Sequence, residues 1–175
     1  MPLMQSKNLR FEPLTANHAA ALFPILNTPA VQAFIDPTNS QTIADLQAEY
    51  SIRARGPIVT EQTERWFNMA VRLRSPIGSV IGRLEATSYG HYGEVAYLFG
   101  EAWWGQGLAF EAMNWWHGYL SAATRETEWW ATVAPNNIRS IRLLGRLGYV
   151  DKTDTADNSK LQSHDEGDRC FVRDN

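Results

Sequence analysis

The sequence lacks what several large protein classes require. Its single cysteine, Cys170, rules out a disulfide framework within the chain and a metal site built on cysteines. No lysine occurs between Lys7 and Lys152, and a P-loop needs Gly-Lys-Ser/Thr. The net charge is only −3, so no basic footprint for nucleic acid is present and no nucleic-acid partner is expected. No run of about 18 apolar residues exists, so no membrane-spanning helix and no membrane partner are expected. The opening "MPLMQSKNLRF" lacks the apolar stretch of a signal peptide. With the lone cysteine, these absences point to a reducing cytoplasm.

What is present is ordinary for a soluble globular chain, apart from its tryptophans. At 175 residues, one domain over 1–175 is expected, large enough to bury roughly 70% of its unfolded surface. Seven tryptophans occur, six of them in adjacent pairs between Trp103 and Trp130. Such pairs belong to a core or a pocket wall, or, read differently, they anchor a protein-interaction surface.

Periodicity gives an order of elements. "LRFEPLT" (9–15) reads as an edge strand, because proline cannot donate to a central ladder. A short helix over 17–26 is weakened at Pro24. Residues 36–40 read as loop, and 41–55 as a helix ended by Gly56-Pro57. Alternation marks strands at 64–73, 79–89 and 93–100, with turns at 75–78 and 90–93. A helix over 107–122, a strand over 127–134 and a helix over 136–149 closed by Gly148 follow. Residues 151–167 read as a polar loop and 169–174 as a last strand. The order β-α-α-β-β-β-α-β-α-β describes an α/β (α+β) domain with a mixed sheet.

The stretch "WWGQGLAFEA" (103–112) joins a strand to a helix through Gly105 and Gly107. The first N–H groups of a helix have no internal partner, and glycines let a phosphate approach them. A Rossmann fingerprint would need a third glycine, which residues 111–116 do not supply. Any phosphate here is held by loop backbone rather than by a lysine.

Two segments carry a resemblance. "VAYLFGEAWWGQGLAFEA" and, further on, "VAPNNIRSIRLLGRLGY" resemble the Gcn5-related N-acetyltransferase (GNAT) superfamily, in its RimJ/RimL-like branch of ribosomal-protein N-terminal acetyltransferases. The family's Gln/Arg-x-x-Gly-x-Gly/Ala signature falls on Trp104 to Ala109, with Trp104 in place of Gln or Arg. Asn137, Ser140, Leu147, Gly148 and Tyr149 match its second motif. The resemblance implies a mostly antiparallel sheet of six to seven strands, helices on both faces, and a cleft where strand 94–100 splays from strand 127–134. Acetyl-CoA is the implied cofactor. Its pantetheine arm would pair with the backbone near Leu98, Phe99 and Gly100. Its pyrophosphate would sit on the N–H groups of Gly105, Gln106, Gly107, Leu108 and Ala109, flanked by Trp104, with Asn137 bonding the arm. The implied activity is transfer of acetyl to a primary amine, a protein N-terminus or a small amine, by a monomer or homodimer. A non-catalytic acyl-CoA sensor on the same fold is the alternative.

The chemistry asks for an acid and a base. Glu94, at the start of the cofactor strand, is the first candidate base, and Glu85 on the preceding strand is the reserve. Glu94 can instead be a solvated glutamate after the Gly93 turn, and Glu85 reads more readily as structural. Ser140, three residues after Asn137, is the candidate donor to the leaving sulfur. Many family members carry a tyrosine acid seven residues after the asparagine, and here that position is Leu144. Asn136 is read as the helix cap and Asn137 as the ligand. Cys170, in a terminal strand with no evident base, is a poor acyl-enzyme nucleophile, so direct transfer in a ternary complex is expected. The acceptor pocket is expected largely from residues 27–57 and the hairpin loops.

Overall fold

The computed structural model describes residues 4–35, 41–58, 64–75, 78–155 and 160–175. The expected loop at 36–40 and the middle of the 75–78 turn lie outside the described residues, as do residues 156–159 of the polar tail.

Seven strands form one sheet. They are β1 (Leu9–Pro13), β2 (Arg65–Leu73), β3 (Val80–Ser88), β4 (Tyr92–Phe99), β5 (Glu128–Val133), β6 (Val150–Asp151) and β7 (Arg169–Asp174). Their spatial order is β1-β2-β3-β4-β5-β7-β6. All neighbours are antiparallel except β4 and β5. Proline-containing β1 lies at the edge, as its missing N–H requires. β6 was not expected: its two residues form a strand only by pairing with Val172 and Phe171 of β7.

The helices are α1 (Ala19–Leu26), α2 (Pro29–Gln32), α3 (Ile43–Arg55), α4 (Leu108–Ala123) and α5 (Ile138–Arg146). The one-turn α2 was also unexpected, although Thr28-Pro29 is a legible start signal. The Thr28 hydroxyl accepts from the Val31 N–H, and Pro29 takes the first position, where no N–H is needed. Thr42 and Asp45 form a reciprocal cap on α3. α5 closes on Gly148 at φ +85°, with the Tyr149 N–H donating to Leu144 and that of Gly148 to Gly145. This is a Schellman closure.

The sheet separates two cores. On one face Leu9, Phe11, Val71, Leu84 and Val95 pack against Met113, Trp116 and Leu120 of α4 and Leu144 of α5. On the other, Ala70 and Val80 pack against Leu22 and Leu26 of α1 and Leu46 and Tyr50 of α3. Trp116 and Trp129 are fully buried, and the Trp115 ring stacks on Phe11 at 3.6 Å. Trp116 is therefore core, and Trp115 is half-buried against it.

Candidate active site

β4 and β5 are hydrogen-bonded only at Tyr92↔Glu128, Gly93↔Trp129 and Glu94↔Trp130. Beyond Glu94 they part, and a cleft of about 350 Å³ opens between β4, the N-terminus of α4 and α5. Of the expected cofactor residues, Leu98, Phe99, Trp104, Gly105, Gly107, Leu108, Ala109 and Asn137 line it. Gly100 and Gln106 do not: the Gln106 side chain folds back to donate to the Ala102 carbonyl at 2.8 Å.

The strand register decides which backbone groups face the cleft. The Gly100 N–H donates to Ile81 and the Tyr89 N–H to Tyr92, both across the β3–β4 pair. In an antiparallel ladder such residues alternate with ones that turn outward. Leu98 and Gly100 thus turn their backbone groups to β3, whereas Tyr97 and Phe99 turn theirs to the gap. Of the residues expected along this edge, Phe99 turns its backbone to the gap, and Tyr97 joins it. The Trp104 indole already donates to the Phe99 carbonyl at 2.7 Å.

At the mouth of α4, Gly105 and Gly107 have φ of +73° and +78°, with open space where a Cβ would be. Only glycine adopts this conformation without strain. The first helical N–H to find a carbonyl within the helix is that of Glu111, which donates to Gly107. The N–H groups of Leu108, Ala109 and Phe110 precede it and form the positive end of the helix.

The sequence reading missed the opposite wall. Arg139, Arg142 and Arg146 of α5 stand along the cleft at i, i+3 and i+7, a spacing that was open to inspection. The Arg139 guanidinium lies 4.8 Å from the Trp104 ring centroid and that of Arg146 4.4 Å from that of Phe110. Stacked guanidiniums beside helix N–H groups have the chemistry to hold an anion.

The model of the acetyltransferase (GNAT) domain family matches residues 8–150. The chain belongs to the GNAT acetyltransferase family. No curated protein matches the chain in sequence. Among solved structures, RimL, a ribosomal α-N-protein acetyltransferase, superposes with TM-score 0.75 at 13% identity, covering 99% of this chain and 93% of that one. The ribosomal-protein-S5-alanine acetyltransferase of Vibrio fischeri gives 0.74 at 16%, covering 98% and 95%. AAC(6′)-Ib in complex with paromomycin and acetyl-CoA gives 0.71 at 17%, covering 96% and 94%. At these identities the likeness is one of fold. Among the described residues of this GNAT chain, no helix is long and apolar enough to cross a membrane.

Set against the needs of a GNAT acetyltransferase, the acid–base candidates fare unequally. Ser140 lines the cleft, and its hydroxyl lies 2.5 Å from that of Tyr97. Asn137 does so too, but it is also the helix cap, because its Oδ1 accepts the Ser140 N–H at 3.1 Å. The expected division between Asn136 as cap and Asn137 as ligand is therefore corrected. Glu94 is buried and not part of the cleft lining; its two oxygens accept the N–H groups of Gln162 and Ser163, each at 2.8 Å. Glu85 is paired with Arg53 at 3.2 Å and with Arg83 at 3.0 Å, beneath α3. Cys170 is buried in β7, where burial first, then the charges of Asp168, Asp151 and Glu94, raise its pKa. That is the opposite of an activated thiol.

Proposed function

We propose that this acetyltransferase uses acetyl-CoA and moves its acetyl group directly to a primary amine, either a protein N-terminus or a small amine. One observation carries this reading. A single cleft brings together a strand edge at Tyr97 and Phe99 that β5 does not pair, a glycine-opened helix mouth, and a row of three arginines. An extended amide chain can pair with the edge as an added strand would. A pyrophosphate suits the N–H groups from Gly105 to Ala109, and the arginines suit the remaining phosphate charge. Asn137 caps with its oxygen, which leaves its amide nitrogen to donate to the pantetheine arm.

Both candidate bases are engaged elsewhere, so water is assigned the amine's proton. That favours an acceptor that is easily deprotonated. A protein N-terminus, with pKa ~7.7–8, costs only about 1 kcal/mol to neutralise at pH 7, against roughly 4–5 for an alkyl ammonium. The buried, unactivated Cys170 leaves direct transfer as the route. A cytoplasmic setting agrees with one reduced cysteine.

The test is calorimetric binding of acetyl-CoA, followed by CoA release with a panel of peptides and small amines. Binding with turnover on one acceptor class is expected. Absence of acetyl-CoA binding would sink the reading, and binding without turnover on any acceptor would favour a sensor.

A further inference from the structure

Ser140 alone is an indifferent donor. A serine hydroxyl rotates freely and in the first turn of a helix commonly bonds backward to its own backbone. Here it is met from the other wall of the cleft. Tyr97 projects from β4, and its Oη lies 2.5 Å from Ser140 Oγ. The Asn137 side chain holds the Ser140 N–H at the same time, so Ser140 is fixed at two atoms. Position 144, where the family's tyrosine acid would stand, is a leucine with no exposed surface.

The two hydroxyls carry two protons and share one hydrogen bond. One O–H is therefore left over whichever oxygen donates. The phenol is the more acidic partner and so the better donor. When Tyr97 donates to Ser140, the serine proton turns away from the tyrosine, and the open direction is the cleft. Tyr97 keeps its proton at neutral pH, because burial raises its pKa to about 12.

We propose that Tyr97 is a positioning residue that aims the Ser140 hydroxyl at the leaving sulfur of the acyl donor. The inference rests on the acetyl-CoA reading above. In the step it serves, the amine nitrogen forms a bond to the thioester carbonyl carbon and the C–S bond breaks. The bond's electron pair passes to sulfur, and the amine's proton passes to water. Ser140 hydrogen-bonds the developing thiolate without surrendering its proton, and solvent protonates the released CoA. The phenol on β4 thus supports from one wall the function that Leu144 cannot perform from the other.

The test compares wild type with Tyr97→Phe, Ser140→Ala and the double variant. Two quantities are read: kcat, and the acid constant of the CoA thiol in the binary complex, followed by thiolate absorbance. Tyr97→Phe keeps the ring, so acetyl-CoA affinity and melting temperature should hold. It is expected to lower kcat about tenfold with little change in KM, and to weaken the acidity of bound CoA about tenfold. The double variant should be no slower than Ser140→Ala, because both act through one hydrogen bond. Unchanged thiol acidity in Tyr97→Phe, or losses that multiply in the double variant, would overturn the inference while leaving the acetyltransferase reading intact. Failure of wild type to bind CoA would overturn both.

Discussion

Ser163 donates its backbone N–H to Glu94 at 2.8 Å, and Gln162 donates to the other carboxylate oxygen at the same distance. Thr132 of β5 donates to the Ser163 carbonyl at 2.7 Å, and Tyr92 of β4 to that of Lys160 at 2.8 Å. Residues 160–163 are strapped across the closed end of the β4–β5 pair, and Glu94 is the buckle.

Glu94→Gln should therefore act on stability before chemistry. The amide turns an NH₂ toward one of the two N–H groups, so a part-buried donor loses its partner, which costs ~1 kcal/mol. Chemical denaturation should show that loss, with kcat within about threefold of wild type. A hundredfold fall in kcat at unchanged stability would return Glu94 to the role of base.

Gly107→Ala tests the helix mouth. The space beside Gly107 is open, but its φ is +78°, and a left-handed conformation costs an L-residue ~1–2 kcal/mol. The loop should shift to relieve this, and acetyl-CoA affinity should fall about tenfold by calorimetry. Gly118 of α4 also has open space around it, with no positive φ. Gly118→Ala should leave affinity unchanged and stabilise the fold by ~0.5–1 kcal/mol.

The α5 arginines should read out as charge. Arg139→Ala, Arg142→Ala and Arg146→Ala should each weaken acetyl-CoA about five- to tenfold. The wild-type affinity should fall with added salt, and each variant should show a shallower dependence, because screening weakens phosphate contacts near the surface. A salt dependence unchanged in all three would place the phosphates elsewhere.

His117 predicts an acid limb in stability. It is buried, with its Nε2 3.2 Å from the Tyr149 hydroxyl. Burial first, then the charge of Arg173, lowers its pKa from 6.5 to about 4. The unfolded chain therefore binds a proton that the fold resists, and stability is lost as pH falls from 6.5 toward 4, by on the order of 3 kcal/mol. In Glu12, Glu111 and Glu126 burial acts upward, but hydrogen bonds outweigh it and hold each below 4.5. Their losses come below that pH. Melting curves between pH 6.5 and 4.5 should thus report chiefly on His117, with Asp168, raised by burial, acting in the opposite sense, and His117→Gln should flatten them.

Signals confined to a few neighbouring residues were legible. Gly105 and Gly107 mark a helix mouth because positive φ is written in residue type. Gly148 marks a helix end for the same reason. Asn137 and Ser140 share a face through their three-residue spacing. The arginine row on α5 is equally local, at i, i+3 and i+7. An Asn-Asn pair offers two equivalent caps, and only the path of the chain chooses Asn137.

The sequence by itself determined the alternation of the longer strands and helices, the glycine loop before α4, and the exclusion of disulfide, P-loop and Rossmann chemistry. Each follows from periodicity, turn chemistry or a missing residue type. Tertiary structure alone decided which carboxylates were occupied and which hydroxyls met. Glu94 is bonded to backbone 68 and 69 residues away, and Tyr97 to a hydroxyl 43 residues away. Side chains that far apart in sequence are brought together only by sheet order and register, which place β4 against α5 on one face of the gap and against the 160–163 strap at its closed end.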